Sequence, residues 1–389
     1  MARVAVAMSG GVDSSVAAAL LVEAGQEVIG LTMRLTGEVP VGAGGCCGSR
    51  AVDDARRVCA RLGIPHYPLD FREALEREVI ADFCAEYARG RTPNPCIRCN
   101  DRLKFQLLLG RLGELEAAAL ATGHYARVVG GEPGFELRRA RDRRRDQSYF
   151  LYRFTQAQLA RTRLPLGELT KDEVRARARA LGLTVAEKPD SQEICFVPGD
   201  DYPAFLRARR PELFRSGPVV DESGQELGRH QGIANFTIGQ RKGLGLPLGE
   251  RRYVLRLEPE TATVVLGPEP AAYAREAELV ELSWVAGDPP AGEFEALVRV
   301  RNQHPGGAAR VRVEAGRARV VFEEPQWAVA PGQAAVCYRG EVVLGGGIIA
   351  RAGNGVPGAG VSESLMQVRT RADERRQPTG PGAGNKETR

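Results

Sequence analysis

The stretch Arg3-Val4-Ala5-Val6-Ala7-Met8-Ser9-Gly10-Gly11-Val12-Asp13-Ser14-Ser15 decides the fold. Residues 3–8 alternate and are β-branched, the pattern of a first strand. Residues 12–24 follow as a helix with Gly25 as its stop. Between them lies a turn of Ser9, Gly10 and Gly11. Glycines let backbone N–H groups close around an anion, and the helix start adds the positive end of its dipole. Ser9, Ser14 and Ser15 add hydroxyl donors for phosphate oxygens. The Gly-Lys-Ser/Thr ending of a Walker A loop is absent. Asp13 would repel bare phosphates, and a bound Mg²⁺ is the natural explanation for it.

Outward from this loop the pattern alternates. Residues 27–33 read as a strand, 51–62 as a helix, 65–70 as a short strand, 71–89 as a helix and 117–123 as a strand. Residues 104–111 lie on a further helix, which starts just after Cys99. Strands alternating with helices predict an α/β fold with a Rossmann-like parallel sheet covered on both faces. Ligands bind such sheets at the carboxyl ends of the strands. The loops after Met8, Met33, Asp70 and Thr122 therefore frame one site. After about residue 198 Pro and Gly become frequent, and from 276 short strands dominate, as in a small β-barrel. The expected domains are a catalytic one at 1–198, a central one at 199–275, a C-terminal barrel at 276–350 and a disordered tail at 351–389.

Net charge is +5, compatible with a nucleic-acid partner but weak evidence for one. Only five of the 54 basic residues are Lys, a pattern that fits GC-rich coding. No apolar run is long enough to span a membrane, and Met1 leads straight into the first strand. The cytoplasm is the expected compartment, and the eight Cys read as thiols rather than structural staples.

Two cysteine segments stand out. In Asn94-Pro95-Cys96-Ile97-Arg98-Cys99-Asn100, the prolines hold an extended segment ahead of a helix. A thiol near a helix N-terminus gains thiolate character. Cys99 as a redox nucleophile, and Cys96 with Cys99 as ligands of a metal or iron–sulfur cluster, both remain open. In Lys188-Pro189-Asp190-Ser191-Gln192-Glu193-Ile194-Cys195, Cys195 sits in a loop after a helix at 171–181. Cys46 and Cys47 carry no assignment.

The string at 9–15 resembles the pyrophosphate loop of ATP pyrophosphatases (adenine nucleotide alpha hydrolase-like proteins), which cleave ATP to AMP and pyrophosphate. Further motifs follow in order: 123–127, 146–151, 191–196, 239–245, 331–333 and 344–347. Together, over residues 1 to about 350, they resemble the bacterial tRNA-specific 2-thiouridylases. The resemblance implies ATP binding by Ala7, Met8, Ser9, Gly10, Gly11, Val12, Asp13 and Ser14, with Met33 and Gly123 lining the site. It implies adenylation of the C2 oxygen of the wobble uridine, a persulfide on Cys195 and attack on it by Cys99, leaving a Cys99–Cys195 disulfide. Asn94, Pro95 and Cys96 match the segment beside the target base. His124, Arg145, Asp146, Gln147, Arg301, Asn302 and Gln333 match tRNA-contacting positions. The implied cofactors are ATP and Mg²⁺. The implied partners are tRNA (those for Glu, Gln and Lys) and a sulfur donor such as a cysteine desulfurase or relay protein. Some members carry Asp where this chain has Cys96, so Cys96, Cys99 and Cys195 form an alternative ligand set for a [4Fe–4S] cluster. Rival readings are a non-catalytic RNA-binding protein with a decayed nucleotide fold, and nitrogen transfer to a small acid.

Overall fold

The computed structural model describes residues 2–36, 49–132, 134–189, 194–247 and 249–353. Cys46 and Cys47, residues 190–193 and the tail beyond 353 lie outside them. No helix among the described residues is long and apolar enough to cross a membrane.

The first layer is built on β1 (Arg3–Ala7), β2 (Val28–Arg34), β3 (His66–Asp70) and β4 (Ala117–Thr122). A hairpin, β5 (Ala126–Gly130) and β6 (Phe135–Arg139), then precedes the two-residue β7 (Thr162–Arg163). The parallel sheet runs β3-β2-β1-β4-β7. Because β1 is central, its residues alternate between two buried faces. Val4 and Val6 pack with Val16 and Leu21 of α1 (Val12–Glu23) and Val58 of α2 (Ser49–Leu62). Ala5 joins the opposite core with Phe83, Ile97, Leu103 and Leu108. Each fully buried Val, Leu or Phe side chain contributes roughly 1.5–3 kcal/mol. From β1 the chain winds to β2 and β3 on one side, then returns to place β4 on the other. The order reverses between β1 and β4, which opens a crevice at their carboxyl ends.

Four strands form the central sheet: β8 (Gly217–Asp221), β9 (Glu226–His230), β10 (Tyr253–Glu258) and β11 (Thr263–Gly267), ordered β10-β11-β8-β9. Val219, Val254, Val264 and Leu266 fill its small core. The C-terminal strands are β12 (Tyr273–Trp284), β13 (Glu293–Arg299), β14 (Gly307–Glu314), β15 (Arg317–Trp327), β16 (Ala334–Arg339) and β17 (Val342–Gly353). They run β12-β15-β14-β13-β16-β17, and a β12–β17 pairing closes them into a barrel. The hairpin β5–β6 extends this sheet through Val342 opposite Arg138, so the first 200 residues lend two strands to the barrel sheet.

Candidate active site

The turn after β1 sits at the crevice. Gly10 has φ 68, and a Cβ there would lie 2.5 Å from the Ala51 carbonyl oxygen on α2. Gly123, just after β4, faces the same loop, and its Cβ would meet the Ser14 nitrogen at 2.6 Å. Only glycine permits both approaches. The serine hydroxyls organise the turn: Ser14 Oγ accepts from Ser9 N at 3.2 Å, and Ser15 Oγ donates to Gly11 O at 2.8 Å. Val12 and Met8 are buried, Ser9 is exposed, and Ala7 and Met33 are half-buried against the core beneath.

Asp13 is held by partners distant in sequence. Lys171, first residue of the helix Lys171–Ala180, donates from Nζ to both carboxylate oxygens at 2.7 and 2.9 Å. Tyr125 donates its hydroxyl to Oδ1 at 2.8 Å. Thr170 caps that helix reciprocally with Glu173, which fixes where Lys171 starts. Sequence reading missed both partners, which lie 112 and 158 residues from Asp13. Both Asp13 carboxylate oxygens are thus engaged by the Lys171 ammonium.

The sulfur side differs from expectation in one respect. The helix begins at Pro95, not after Cys99, and runs through 95–98 into 99–108. Proline at the first helical position loses no hydrogen bond and is pre-set in φ, so Pro95 starts the helix instead of continuing the irregular segment before it. Cys99 therefore lies one turn inside, and Cys96 lies in the first turn. Cys96 is exposed, whereas Cys99 and Cys195 are half-buried and pack against the same core cluster as Ala7 and Met33. Cys59 and Cys337 are core thiols that burial pushes up to about 11 and about 12. Among the described residues no group of three or more His, Cys, Asp or Glu that could hold a metal ion forms.

The barrel grips the cysteine helix. Arg98, 6% exposed, donates to both oxygens of Glu281 on β12 at 2.7 and 3.0 Å and to Asp82 at 3.1 Å. Arg153 bonds Asp101 at 2.7 Å and the Glu281 carbonyl at 2.9 Å. Gln333 donates to Thr92 O at 2.9 Å, and Thr92 N donates to Pro331 O at 2.9 Å. Gln333 thus braces the segment that leads into Asn94 and Pro95.

The other expected RNA contacts divide. Asp146 is 6% exposed, and its carboxylate accepts from Arg139, Arg299, Ala140 N and Ser148 N at 3.1 to 3.2 Å. Four donors and burial make this carboxylate a joint between β6 and the barrel. Arg299 of β13 is buried in the same joint. Gln147 brackets Tyr125 through Tyr125 N at 2.9 Å. Arg145 and Asn302 are half-buried, and Arg301 donates to Trp327 O at 2.9 Å. His124 bonds Thr122 Oγ1 at 2.7 Å, and burial together with nearby Lys104 holds its pKa well below the usual value, so the ring is neutral.

Family models match along the chain in three pieces. They are the tRNA methyl transferase HUP domain over residues 2–199, the tRNA methyl transferase PRC-barrel domain over 204–268 and the aminomethyltransferase beta-barrel domain over 275–349. A tRNA-specific 2-thiouridylase MnmA of Carboxydothermus hydrogenoformans is 50% identical over 357 residues, covering 89% of this chain and 97% of its own. Its namesake in Rhodospirillum centenum is 50% identical over 362 residues, covering 90% and 92%. That of Roseiflexus castenholzii is 46% identical over 370 residues, covering 90% and 100%. With half of its residues shared along nearly its whole length, the chain belongs to the tRNA-specific 2-thiouridylase family.

Proposed function

We propose that this protein replaces the C2 oxygen of a tRNA wobble uridine with sulfur, using ATP. The observation that carries the reading is one core cluster supporting both halves of the chemistry. Ala7 and Met33 border it on the nucleotide side, and Cys99 and Cys195 on the sulfur side. Family membership agrees with it. The methyl transfer named in the family models has no use for a phosphate loop or paired cysteines.

ATP enters as a substrate, its phosphates over the N–H groups of residues 10–14 and its adenosine toward Met33 and Gly123. Bound Mg²⁺, held by Asp13, would neutralise charge on the departing pyrophosphate. The uridine C2 oxygen attacks the α-phosphorus, pyrophosphate leaves, and the C2–O bond becomes a good leaving group as AMP. A donor protein, a cysteine desulfurase or relay, loads Cys195 as a persulfide. The Cys99 thiolate attacks Sγ of Cys195 and expels hydrosulfide, which displaces AMP from C2. A Cys99–Cys195 disulfide remains and consumes two electrons from a thiol reductant before the next turnover. The base leaves the anticodon stack to reach Asn94, Pro95 and Cys96. In this reading His124, Arg145, Gln147, Arg301 and Asn302 are RNA contacts, and tRNAs for Glu, Gln and Lys are the substrates. The reaction belongs in the cytoplasm, where these tRNAs are.

The test is pyrophosphate release from ATP with unmodified tRNA transcripts. Release should require uridine at the wobble position and stop when that base is cytidine. Equal release with both transcripts contradicts the reading.

A further inference from the structure

The phosphate loop turns through two adjacent glycines. Gly10 has φ 68, and Gly11, at φ −103 and ψ 167, is the N-cap of α1 with no side chain to cap it. The first N–H groups of a helix have no partner within it, so the Gly11 N–H is a donor for a ligand. The peptide that carries this donor joins Gly10 to Gly11. Turning it over changes ψ of Gly10 and φ of Gly11, and neither residue has a Cβ to oppose the turn. In a trans peptide the C=O and the following N–H point in opposite directions. The flipped form therefore presents the Gly10 carbonyl oxygen in place of the Gly11 N–H, and that oxygen would repel a phosphate.

One side chain selects between the two forms. Lys188 Nζ donates to the Gly10 carbonyl oxygen at 2.9 Å and to Asp54 Oδ2 at 2.7 Å. Asp54 is 7% exposed and lies on α2, one turn beyond Ala51, against whose carbonyl oxygen Gly10 packs. The backbone at Lys188 is fixed in turn. Its N–H donates to Val185 O at 3.1 Å, while Arg175 donates to Ala186 O at 2.9 Å and to Lys188 O at 3.3 Å. A charged donor that holds the carbonyl on its own side keeps the Gly11 N–H on the other. Only five of the 54 basic residues are Lys, and this position takes the compact ammonium, which meets one carbonyl and one carboxylate at once.

We propose that Lys188, anchored by Asp54, is a positioning residue that locks the Gly10–Gly11 peptide with its N–H available to the phosphates of the nucleotide. The proposal rests on the reading of residues 7–14 as the nucleotide loop. Lys188 touches no reacting atom and acts through this one peptide group.

The experiment uses the full chain and two readouts. One is calorimetric binding of α,β-methylene-ATP with Mg²⁺, and the other is the ATP dependence of pyrophosphate release with unmodified tRNA. Lys188→Met removes the ammonium, and Arg57 remains paired with Asp54. Analogue affinity should fall roughly tenfold and the KM for ATP should rise by about the same factor, as for a lost charge-assisted hydrogen bond. The kcat should stay within about threefold, because ground-state binding is what is lost. Adenosine, which has no phosphates, should inhibit with a Ki within about twofold of wild type. Asp54→Asn leaves the ammonium without its anchor and should raise KM roughly threefold. It keeps the test open if Lys188→Met does not fold. The double variant should be no worse than Lys188→Met alone, because Asp54 acts through Lys188. A KM within about twofold of wild type in both single variants overturns the proposal. So does a lower kcat at unchanged KM, the mark of a smaller folded fraction, and so do equal losses for adenosine and the analogue or fully additive losses in the double variant. A wild type that does not bind the analogue contradicts the nucleotide-loop reading instead.

Discussion

Asp13 is half of an ion pair whose other half, Lys171, is only 7% exposed. Removing one partner of such a pair leaves an uncompensated charge, so its loss has both a chemical and a structural part. Asp13→Asn retains an oxygen acceptor for Lys171 and Tyr125 but not the charge that would hold Mg²⁺. Pyrophosphate release should disappear, while tRNA affinity measured by filter binding stays within about twofold, because no RNA contact is lost. Stability should fall by about 1–3 kcal/mol, less than for a fully buried pair because Asp13 is partly solvated. Near-normal pyrophosphate release would remove Asp13 from the reaction. The glycines and serines of this loop were legible in the sequence because their constraints are local. Lys171 and Tyr125 were not, since nothing local distinguishes a lysine that caps a distant carboxylate from one in water.

Among elements, the helix through 95–108 was readable but its start was not. Pro93 and Pro95 favour both extended chain and a helical first turn, and the local sequence does not separate the two. The hairpin β5–β6 was missed for a different reason. Its partner, β17, lies some two hundred residues later, and the pairing at Val342 and Arg138 leaves no periodic trace. The barrel also holds the cysteine helix, through Arg98 and Glu281. Glu281→Gln should therefore slow thiouridine formation while leaving the salt dependence of tRNA binding unchanged, because Glu281 faces Arg98 rather than phosphate. With only Asp82 left as an anionic partner for buried Arg98, a loss of about 1–3 kcal/mol in stability should accompany it. A wild-type thiolation rate in a variant with that stability loss would show that the barrel does not position the helix.

At the scale of the whole molecule, the buried joint of Asp146, Arg139 and Arg299 ties the first layer to the barrel, and His304 completes it. Its carbonyl accepts from Arg299 Nε at 3.0 Å, and its Nδ1 accepts from Gly306 N at 3.2 Å. Burial, aided by nearby Arg301, lowers its pKa to about 4. The unfolded chain would protonate this ring near pH 6.5, so between those values it binds more protons than the folded one. Stability from His304 is thus full above about pH 6.5 and drains as pH falls toward 4, by on the order of 2–3 kcal/mol. Thermal unfolding followed from pH 7 to 4.5 should show that slope, and His304→Gln should flatten it. An unchanged slope in the variant would assign the acid sensitivity elsewhere.

The proposed route passes sulfur from Cys195 under attack by Cys99. It is tested most directly by a single turnover with persulfide-loaded enzyme, ATP and tRNA in the absence of reductant. Thiouridine should be counted against the peptides joined through Cys99 and Cys195 by mass spectrometry. One disulfide should form for each thiouridine, and Cys96→Ser should behave the same. Thiouridine formed without that disulfide, in an enzyme that contains iron and loses both iron and activity in Cys96→Ser, would contradict the claim.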